Sequence, residues 1–487
     1  MDQNLVLIAP LAVAIGAAIV VLLVDLILPG RDMLAITVSL IGLGAVAVAT
    51  IWANQTPGEA YGGAYSVDAL TTFLDLLFVS IIALTLVFAP DYLAPRGLPM
   101  AEFAVVLMFA MTGAMLIAAS TDLLLLFLGL ELMVLPGYML AAFHKTDGYS
   151  TEGAIKYFLL GSFSSAIFLF GLAFVWGITG STRVADVAAA LTSIAETPGA
   201  FSAGLAMGFA FLTTGVAFKI AAVPFHYWTP DAYQGSPTPV TGYLSVGPKI
   251  GAFALILRLF VEALAPLKGD WLPVIIVLAA LTMTVGNLIA LTQDNVKRML
   301  AYSSIAHTGY MLVALAAYAG GEQLGIEALL FYAAAYSFMN LGGFAVIAAL
   351  QKRAGVTSSL ETFAGLGRRE PGLGILMTLF LLSLVGIPPT AGFVAKALVI
   401  LAAVQAGGWV TWLAVLVVLN AAAAAFYYLR VVVYMYMREP TSDVVAPRHG
   451  RLLWGGLAVA TTLTIVLGFF PGLITGMIGQ AATALGG

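Results

Sequence analysis

Long apolar runs dominate this sequence of 487 residues. Apolar stretches of about 18 residues or more are candidate membrane-spanning helices, because about 20 helical residues cross the hydrocarbon core of a bilayer. The runs are too long for the strands of a membrane barrel, which alternate in polarity over about 10 residues. The sequence therefore predicts an all-α polytopic membrane protein with fourteen spans, at 5–28, 34–53, 68–89, 101–119, 122–143, 154–178, 202–222, 238–262, 272–291, 296–319, 327–350, 372–404, 409–437 and 452–478.

The composition supports the same class of protein. Hydrophobic residues make up 61% of the chain and charged residues 9%, where soluble domains carry about 25% charged residues. This excludes a water-soluble enzyme, a secreted domain, a disordered chain and a nucleic-acid binder, which needs a basic face. With no cysteine, this chain holds neither a disulfide nor an iron–sulfur cluster. The four histidines are far apart, so we expect no cofactor or metal in this chain.

Basic residues in the short loops predict the orientation. Loops that follow odd-numbered runs carry twelve Lys and Arg residues, and loops that follow even-numbered runs carry only Arg183 and Lys268. The odd-numbered loops are therefore predicted to be cytoplasmic, with both termini on the periplasmic side. The segment around 179–201 is predicted to include a short surface helix. The twelve residues are Arg31, Arg96, Lys145, Lys297, Arg298, Lys352, Arg353, Arg368, Arg369, Arg438, Arg448 and Arg451.

Five titratable residues within apolar runs stand out as candidates for function. Glu131 is in the fifth run, Lys219 in the seventh and Lys249 in the eighth. His307 is in the tenth run and Lys396 in the twelfth. A charged group at the bilayer centre costs about 2.5–3.5 kcal/mol on insertion scales, and such groups usually face a bundle interior and mark an ion or proton path. A purely structural Glu–Lys pair, or a packed histidine, is the competing interpretation.

Three more basic residues lie nearer the ends of their runs. Lys156 is near the start of the sixth run, where a long side chain can reach the membrane surface or take part in the path. Arg258 and Arg430 are predicted to be interfacial.

Two runs contain helix breakers beside their lysines. Proline lacks a backbone donor and cannot continue a regular helix. A break at membrane depth frees backbone groups, which are tolerated only inside protein or beside water, and transporters build ion sites at such breaks. The seventh and twelfth runs are therefore predicted to be discontinuous, with the breakers Pro224, Pro230, Pro237 and Pro239 in or after the first and Pro388, Pro389 and Gly392 in the second.

The runs also suggest an internal repeat. Runs four to eight (101–262) and nine to thirteen (272–437) form two blocks of five, preceded by three helices in 1–100 and followed by a last one at 452–478. In each block the second run carries Glu131 or His307, and a lysine of the broken run follows 88 or 89 residues later. An odd number of spans inverts the second block, as in inverted-topology repeats.

Several segments resemble the antiporter-like membrane subunits of bacterial respiratory complex I, the proton-pumping NADH:quinone oxidoreductase, and the subunit N type in particular. The resemblance covers nearly the whole chain and is strongest from about 120 to 405. It rests on LGLELMVLPGYMLAAF at 128–143, STEGAIKYFLLGSFSSAIFLFG at 150–171, the stretch 218–249, KRMLAYSSIAHTGYM at 297–311, LGRREPG at 366–372 and SLVGIPPTAGFVAK at 383–396.

The resemblance implies fourteen helices with broken helices 7 and 12, a multi-pass place in the bacterial inner membrane, and a multisubunit assembly. The partners it implies are the antiporter-like M subunit, small membrane subunits and the lipid bilayer, with no nucleic acid. NADH, flavin, iron–sulfur clusters and quinone would lie on partner subunits. The proton-relay residues it implies are Glu131, Lys219, Lys249, Lys396, His307, His226 and Lys156.

These residues suggest a mechanism. A nearby carboxylate stabilises the charged form of a buried lysine, and loss of that pairing favours release of the proton. Lys219 would hold a proton while Glu131 is close, Lys249 and His307 would relay it, and Lys396 would be the terminal donor. Three alternatives remain: a subunit of a multisubunit Na⁺/H⁺ antiporter, a membrane-bound hydrogenase subunit, and a structural scaffold.

Overall fold

The computed structural model describes residues 3–196, 202–352, 356–440 and 448–485. Arg353, one of the basic residues counted above, lies outside the described residues. The first half contains α1 Gln3–Leu7, α2 Ala9–Ile27, α3 Asp32–Ala53, α4 Ala69–Phe88, α5 Pro90–Leu93, α6 Met100–Ala119, α7 Leu123–Ala141, α8 Gly148–Thr179, α9 Val184–Glu196, α10 Ala203–Lys219 and α11 Trp228–Gly235. The second contains α12 Thr238–Ile256, α13 Lys268–Ala290, α14 Val296–Ala319, α15 Leu324–Leu350, α16 Leu366–Arg369, α17 Pro371–Val385, α18 Ala391–Ala406, α19 Gly408–Met437, α20 Arg451–Phe469 and α21 Gly472–Ala484.

The prediction of an all-α membrane protein is confirmed. Among the described residues, twelve helices are long and apolar enough to cross a membrane. Three shorter apolar helices, α10, α17 and α18, lie where the sequence predicts broken spans. The first break separates α10 from α11, and the second separates α17 from α18. The peptide bonds Val223–Pro224 and Pro388–Pro389, one in each break, are cis.

Short elements of structure lie in the loops that follow even-numbered runs, or at the helix ends beside those loops. Strands β1 (Gly58–Ala60) and β2 (Tyr65–Val67) pair antiparallel in the loop after α3. Helix α9 is the predicted short surface helix, and Asp122 bridges to Arg183 just before it. Helix α12 continues directly into a π-helix, Leu257–Ala263. These elements lie at one end of the bundle.

Three helices form the centre of the bundle. The apolar windows of α12, α14 and α15 are 100%, 94% and 94% buried, whereas those of α2, α19 and α20 are about one-third buried. Helix α14 packs against α11, α13, α15 and α18, so it contacts both broken spans. Lys249 on α12 and His307 on α14 are therefore enclosed by protein on all sides.

Candidate functional site

Four of the predicted residues form buried basic positions in the bundle. The side chains of Lys219, Lys249, His307 and Lys396 are 7%, 2%, 1% and 5% exposed. No carboxylate lies within 4 Å of any of the three ammonium groups in the described part of the chain. Each is held by neutral acceptors, and we call Lys219, Lys249, His307 and Lys396 the buried basic row.

Lys219 is the last residue of α10, immediately before the first break. Its Nζ donates to Ser165 Oγ at 2.7 Å and to the Gly161 carbonyl at 3.4 Å, both on α8. The lysine is thus anchored to the neighbouring helix rather than to the broken backbone beside it.

The freed backbone groups of the first break have side-chain partners. The Val223 N–H donates to Thr282 Oγ1 at 3.0 Å, and Thr308 Oγ1 donates to the Ile220 carbonyl at 2.9 Å. Thr282 and Thr308 belong to α13 and α14, in the second block of helices. Backbone polar groups buried at membrane depth must be paired in this way, and here the pairing links the two blocks.

Lys249 follows Pro248 on α12 and contacts α14. Its Nζ donates to the Ser304 carbonyl at 2.6 Å and to Ser304 Oγ at 2.5 Å. Ser304 precedes His307 by three residues, which is about one helical turn. Lys249 therefore binds α14 one helical turn before His307.

His307 is held between two tyrosines. Its Nδ1 lies 2.7 Å from the Tyr332 hydroxyl, and its Nε2 lies 3.2 Å from the Tyr428 hydroxyl. Tyr428 also bonds to Ser303 Oγ. A neutral imidazole has one donor and one acceptor nitrogen, so one tyrosine donates while the other accepts. Both hydrogen bonds reverse together when the tautomer changes.

Lys396 reaches back across the second break. Its Nζ donates to the carbonyls of Leu384 and Val385, at 2.8 and 2.7 Å, and these are the last residues of α17. It also lies 5.1 Å from the ring centroid of Tyr310 on α14. A cation at a helix C-terminus satisfies free carbonyls and complements the helix dipole. Lys396 therefore caps the end of α17, whereas Lys219 joins α10 to α8.

Glu131 does not pair with Lys219 within 4 Å in the part of the chain described. The two side chains interact electrostatically at longer range, and Glu131 Oε1 is buried without a hydrogen-bond partner. His226 lies in the first break, 5% exposed, with its ring stacked on Tyr227.

Lys156 lies apart from the buried basic row. Its side chain is 44% exposed, and Nζ contacts Asp231 at 2.8 Å and Glu152 at 2.6 Å. Asp231 also pairs with Arg298 at 2.7 Å. The three helices α8, α11 and α14 therefore share a charged network at the end that carries the odd-numbered loops.

Arg258 is buried within the protein, beside the loops at one end of the bundle. Its guanidinium is 2% exposed within the π-helix and pairs with Asp68 at 2.7 Å and Glu262 at 2.6 Å. Two carboxylates compensate the buried charge, and Asp68 is far away in sequence, so one residue's position could not reveal the pairing. Arg430 does lie near the surface, 3.8 Å from the exposed Asp294.

Sequence reasoning also missed three kinds of buried polar residue. Asp75, inside the third run, is 2% exposed, and the argument applied to Glu131 would have found it. Lys297, counted as a loop residue, is buried in the first turn of α14, where it donates to the Ser236 carbonyl at 2.6 Å. The tyrosines around His307 gave no signal, because aromatic residues are common in apolar helices.

Comparisons with known proteins identify the family of this chain. Residues 120–420 match the family model for "NADH:quinone oxidoreductase/Mrp antiporter, TM". NADH-quinone oxidoreductase subunit N of Trichlorobacter lovleyi is 40% identical over 98% of this chain and 96% of its own length. In the described residues, no group of three His, Asp or Glu side chains is placed to hold a metal ion.

Solved structures show the same fold. A chain of respiratory complex I from Thermus thermophilus superposes with a TM-score of 0.79 at 32% identity, covering 96% of this chain and 98% of that one. A chain of the Mrp complex from Dietzia sp. superposes with a TM-score of 0.84 at 22% identity, covering 99% and 97%. At 22% identity, the similarity to the Mrp chain shows a shared fold alone. The chain therefore belongs to the NADH:quinone oxidoreductase/Mrp antiporter transmembrane family, and its full-length relatives include NADH-quinone oxidoreductase subunit N.

Proposed function

We propose that this chain is a proton-translocating membrane subunit of an NADH:quinone oxidoreductase, of the subunit N type, with redox chemistry confined to other subunits. Protons move along the buried basic row from Lys219 through Lys249 and His307 to Lys396. The observation that carries the proposal is that all three lysines bond only to neutral oxygen acceptors within 4 Å, among the described residues. A lysine held this way loses its proton without leaving a partner carboxylate unpaired.

Glu131 supplies the electrostatic control in this proposal. Its charge acts on Lys219 from beyond 4 Å, so a change in their separation alters how readily Lys219 holds a proton. His226, buried in the first break, contributes a further titratable ring beside the row. Lys156, with Asp231 and Arg298, supports proton uptake at the odd-loop end rather than transfer along the row.

The architecture of the proposal follows the predicted repeats. Residues 101–262 and 272–437 act as two inverted five-helix units, with 1–100 and 452–478 flanking them. The two breaks support this assignment, although Lys219 precedes its break and Lys396 follows its break. Odd-numbered loops face the cytoplasm, and the termini face the periplasm. The expected neighbours are the M subunit and small membrane subunits, and NADH, flavin, iron–sulfur clusters and quinone belong to partner subunits.

The alternative of a Na⁺/H⁺ antiporter subunit rests on the shared fold of the Mrp chain. The two functions differ in what drives the gradient. NADH oxidation and pH-gradient formation are measured in inverted membrane vesicles, for Lys219→Ala and for the exposed Lys268→Ala as control, with assembly checked on a native gel.

We expect Lys219→Ala to assemble and to lose NADH-driven gradient formation, while Lys268→Ala keeps it. Intact NADH-driven pumping in Lys219→Ala would contradict the relay. Loss of a Na⁺-driven gradient, with NADH oxidation unchanged, would assign the chain to the antiporter class.

A further inference from the structure

Asp75 is a buried carboxylate that the mechanism above does not use. It lies in α4, its side chain is 2% exposed, and Oδ1 has no hydrogen-bond partner among the described residues. A buried carboxylate with a structural role normally accepts hydrogen bonds, because leaving it unpaired is costly. Among the described residues, Asp75 Oδ1 therefore lacks the hydrogen bond that a structural carboxylate normally accepts.

Asp68, two turns earlier on the same chain segment, shows the contrast. It caps α4 by accepting from the Thr71 N–H at 2.7 Å, and it accepts from Thr71 Oγ1 at 2.9 Å and from Arg258 at 2.7 Å. Every contact expected of a structural aspartate is present there. Asp75 interacts electrostatically with Asp68 and with the Tyr65 phenol. No cation lies within 4 Å of its carboxylate in the part of the chain that the structure describes.

A polar cavity opens at the Asp68 end of this helix. Its volume is about 610 Å³, and it lies between the hairpin β1–β2, α9 and the π-helix. Arg258 and Glu262 extend into it from the π-helix, and such helices often occur at functional sites. The charged side chains on its wall are Glu59, Asp68, Arg183, Asp186, Arg258 and Glu262. All these elements belong to the even-numbered loops or to helix ends beside them.

Asp75 and Lys249 lie at similar distances from this cavity, measured along their helices. Arg258 and Asp68 pair on the cavity wall, so these two residues lie at the same height in the bundle and serve as the starting point for both distances. Asp75 is seven residues beyond Asp68 and Lys249 nine residues before Arg258, which places them about 10 and 13 Å from that level. Helices α4 and α12 pack against each other. Asp75 thus stands between the cavity and the depth of the buried basic row.

We propose that Asp75 binds and releases protons at mid-membrane depth, and that the cavity beside Arg258 connects it to water on the even-loop face. In its neutral form Asp75 is a carboxylic acid that needs no cation. When it gives up its proton to water that reaches it from the cavity, it becomes a carboxylate. Asp68, which interacts electrostatically with Asp75, lies on the cavity wall. Intramembrane carboxylates of this kind usually mark proton paths. The inference rests on the proposed function, because it adds a second access route to the same translocation.

The test uses the assembled complex in inverted vesicles. Asp75→Asn removes the titratable proton and keeps the shape, Asp75→Glu restores the acid, and Thr85→Val changes another buried polar residue of α4 as a control. We expect Asp75→Asn to assemble and to translocate at least about twofold fewer protons per NADH, with Asp75→Glu near wild type and Thr85→Val unchanged.

Lys249→Gln, measured in the same preparation, separates the two proposals. If Lys249→Gln loses pumping while Asp75→Asn retains the full ratio, the Asp75 inference is overturned and the proposed function stands. If Lys249→Gln also pumps normally, the proposed function fails, and the inference fails with it.

A second measurement tests the cavity without changing Asp75. Because the chain has no cysteine, Ala185→Cys places its single thiol on the cavity wall. Spheroplasts are treated with a membrane-impermeant cationic thiol reagent, and vesicles are then prepared. We expect modified Ala185→Cys to lose proton translocation while the treated parent keeps it. Full translocation by the modified variant would overturn access through this cavity, including the case in which Asp75→Asn does not assemble.

Discussion

Lys249 binds Ser304 through two atoms at once: Nζ lies 2.6 Å from the carbonyl oxygen and 2.5 Å from Oγ. The carbonyl is part of the backbone of α14, so the contact fixes the lysine against the helix that carries His307. The hydroxyl is different, because it can both accept from the ammonium group and donate to a neutral amine. Ser304 is therefore suited to hold Lys249 in either protonation state.

Ser304→Ala removes the hydroxyl and leaves the carbonyl. We expect slower NADH-driven proton translocation with normal assembly, because a hydrogen bond to a charged group is worth about 1.5–3 kcal/mol. The measurement is the initial rate of gradient formation in inverted vesicles. Ser337→Ala is the control, since Ser337 is equally buried and, among the described residues, its hydroxyl bonds only to the Ala333 carbonyl of its own helix. Equal rates in the two variants would argue against a role for the Ser304 hydroxyl.

Lys396→Met removes the cation from the end of α17. Two carbonyls, of Leu384 and Val385, then lose their donor inside the protein. An unsatisfied buried polar group costs about 1–3 kcal/mol, so we expect a clear fall in thermal stability of the detergent-solubilised complex as well as loss of pumping. Lys219→Met leaves the hydroxyl of Ser165 free to rotate to another acceptor, so its stability loss should be smaller. The opposite order of melting temperatures would refute the capping role of Lys396.

The sequence predicts the helices and the buried basic row, because both follow from local composition, but the buried Asp75 and Lys297 were missed. The broken spans follow from Pro224 and Pro388, and four of the seven predicted site residues form the buried basic row. Contacts between distant segments are another matter. Arg258 pairs with Asp68, which is 190 residues away in the sequence, and no residue near Arg258 in the chain predicts that pairing. The distance between Glu131 and Lys219 likewise depends on how α7 and α10 pack, which the spacing of residues does not determine.

Lys156→Gln should affect proton translocation less than Lys219→Ala. The Lys156 side chain is 44% exposed, and exposed ion pairs contribute about 0–1 kcal/mol. Arg298 continues to neutralise Asp231 in the variant, at 2.7 Å in the native protein. The ratio of protons translocated to NADH oxidised is the measurement. Complete loss of pumping in an assembled Lys156→Gln complex would show that Lys156 belongs to the obligatory path.

His449 joins two segments that are distant in sequence, at the end that carries the odd-numbered loops. Its Nδ1 lies 3.3 Å from Asp91, and its Nε2 lies 3.0 Å from Glu370, at the start of α17. Lys352 shares Asp91 at 3.1 Å and donates to the Arg448 carbonyl at 2.6 Å. Burial lowers the pKa of His449, but the hydrogen bonds to Asp91 and Glu370 outweigh it and raise the pKa to about 9. The imidazolium form therefore holds the two carboxylates together at neutral pH.

This shift predicts how stability depends on pH. A group whose pKa is higher in the folded than in the unfolded protein stabilises the fold fully below the unfolded value, about 6.5 for histidine, and the stabilisation is lost as pH rises through the folded value. We expect the melting temperature of the solubilised complex to fall between about pH 6.5 and 9 in the native protein, and to fall less in His449→Gln. His144→Gln is the control, because His144 is a loop histidine whose Nδ1 lies as far as 3.8 Å from the Asp147 carboxylate. If His449→Gln and the native protein lost stability in parallel over this range, the imidazolium would not be the group that holds Asp91 and Glu370 together.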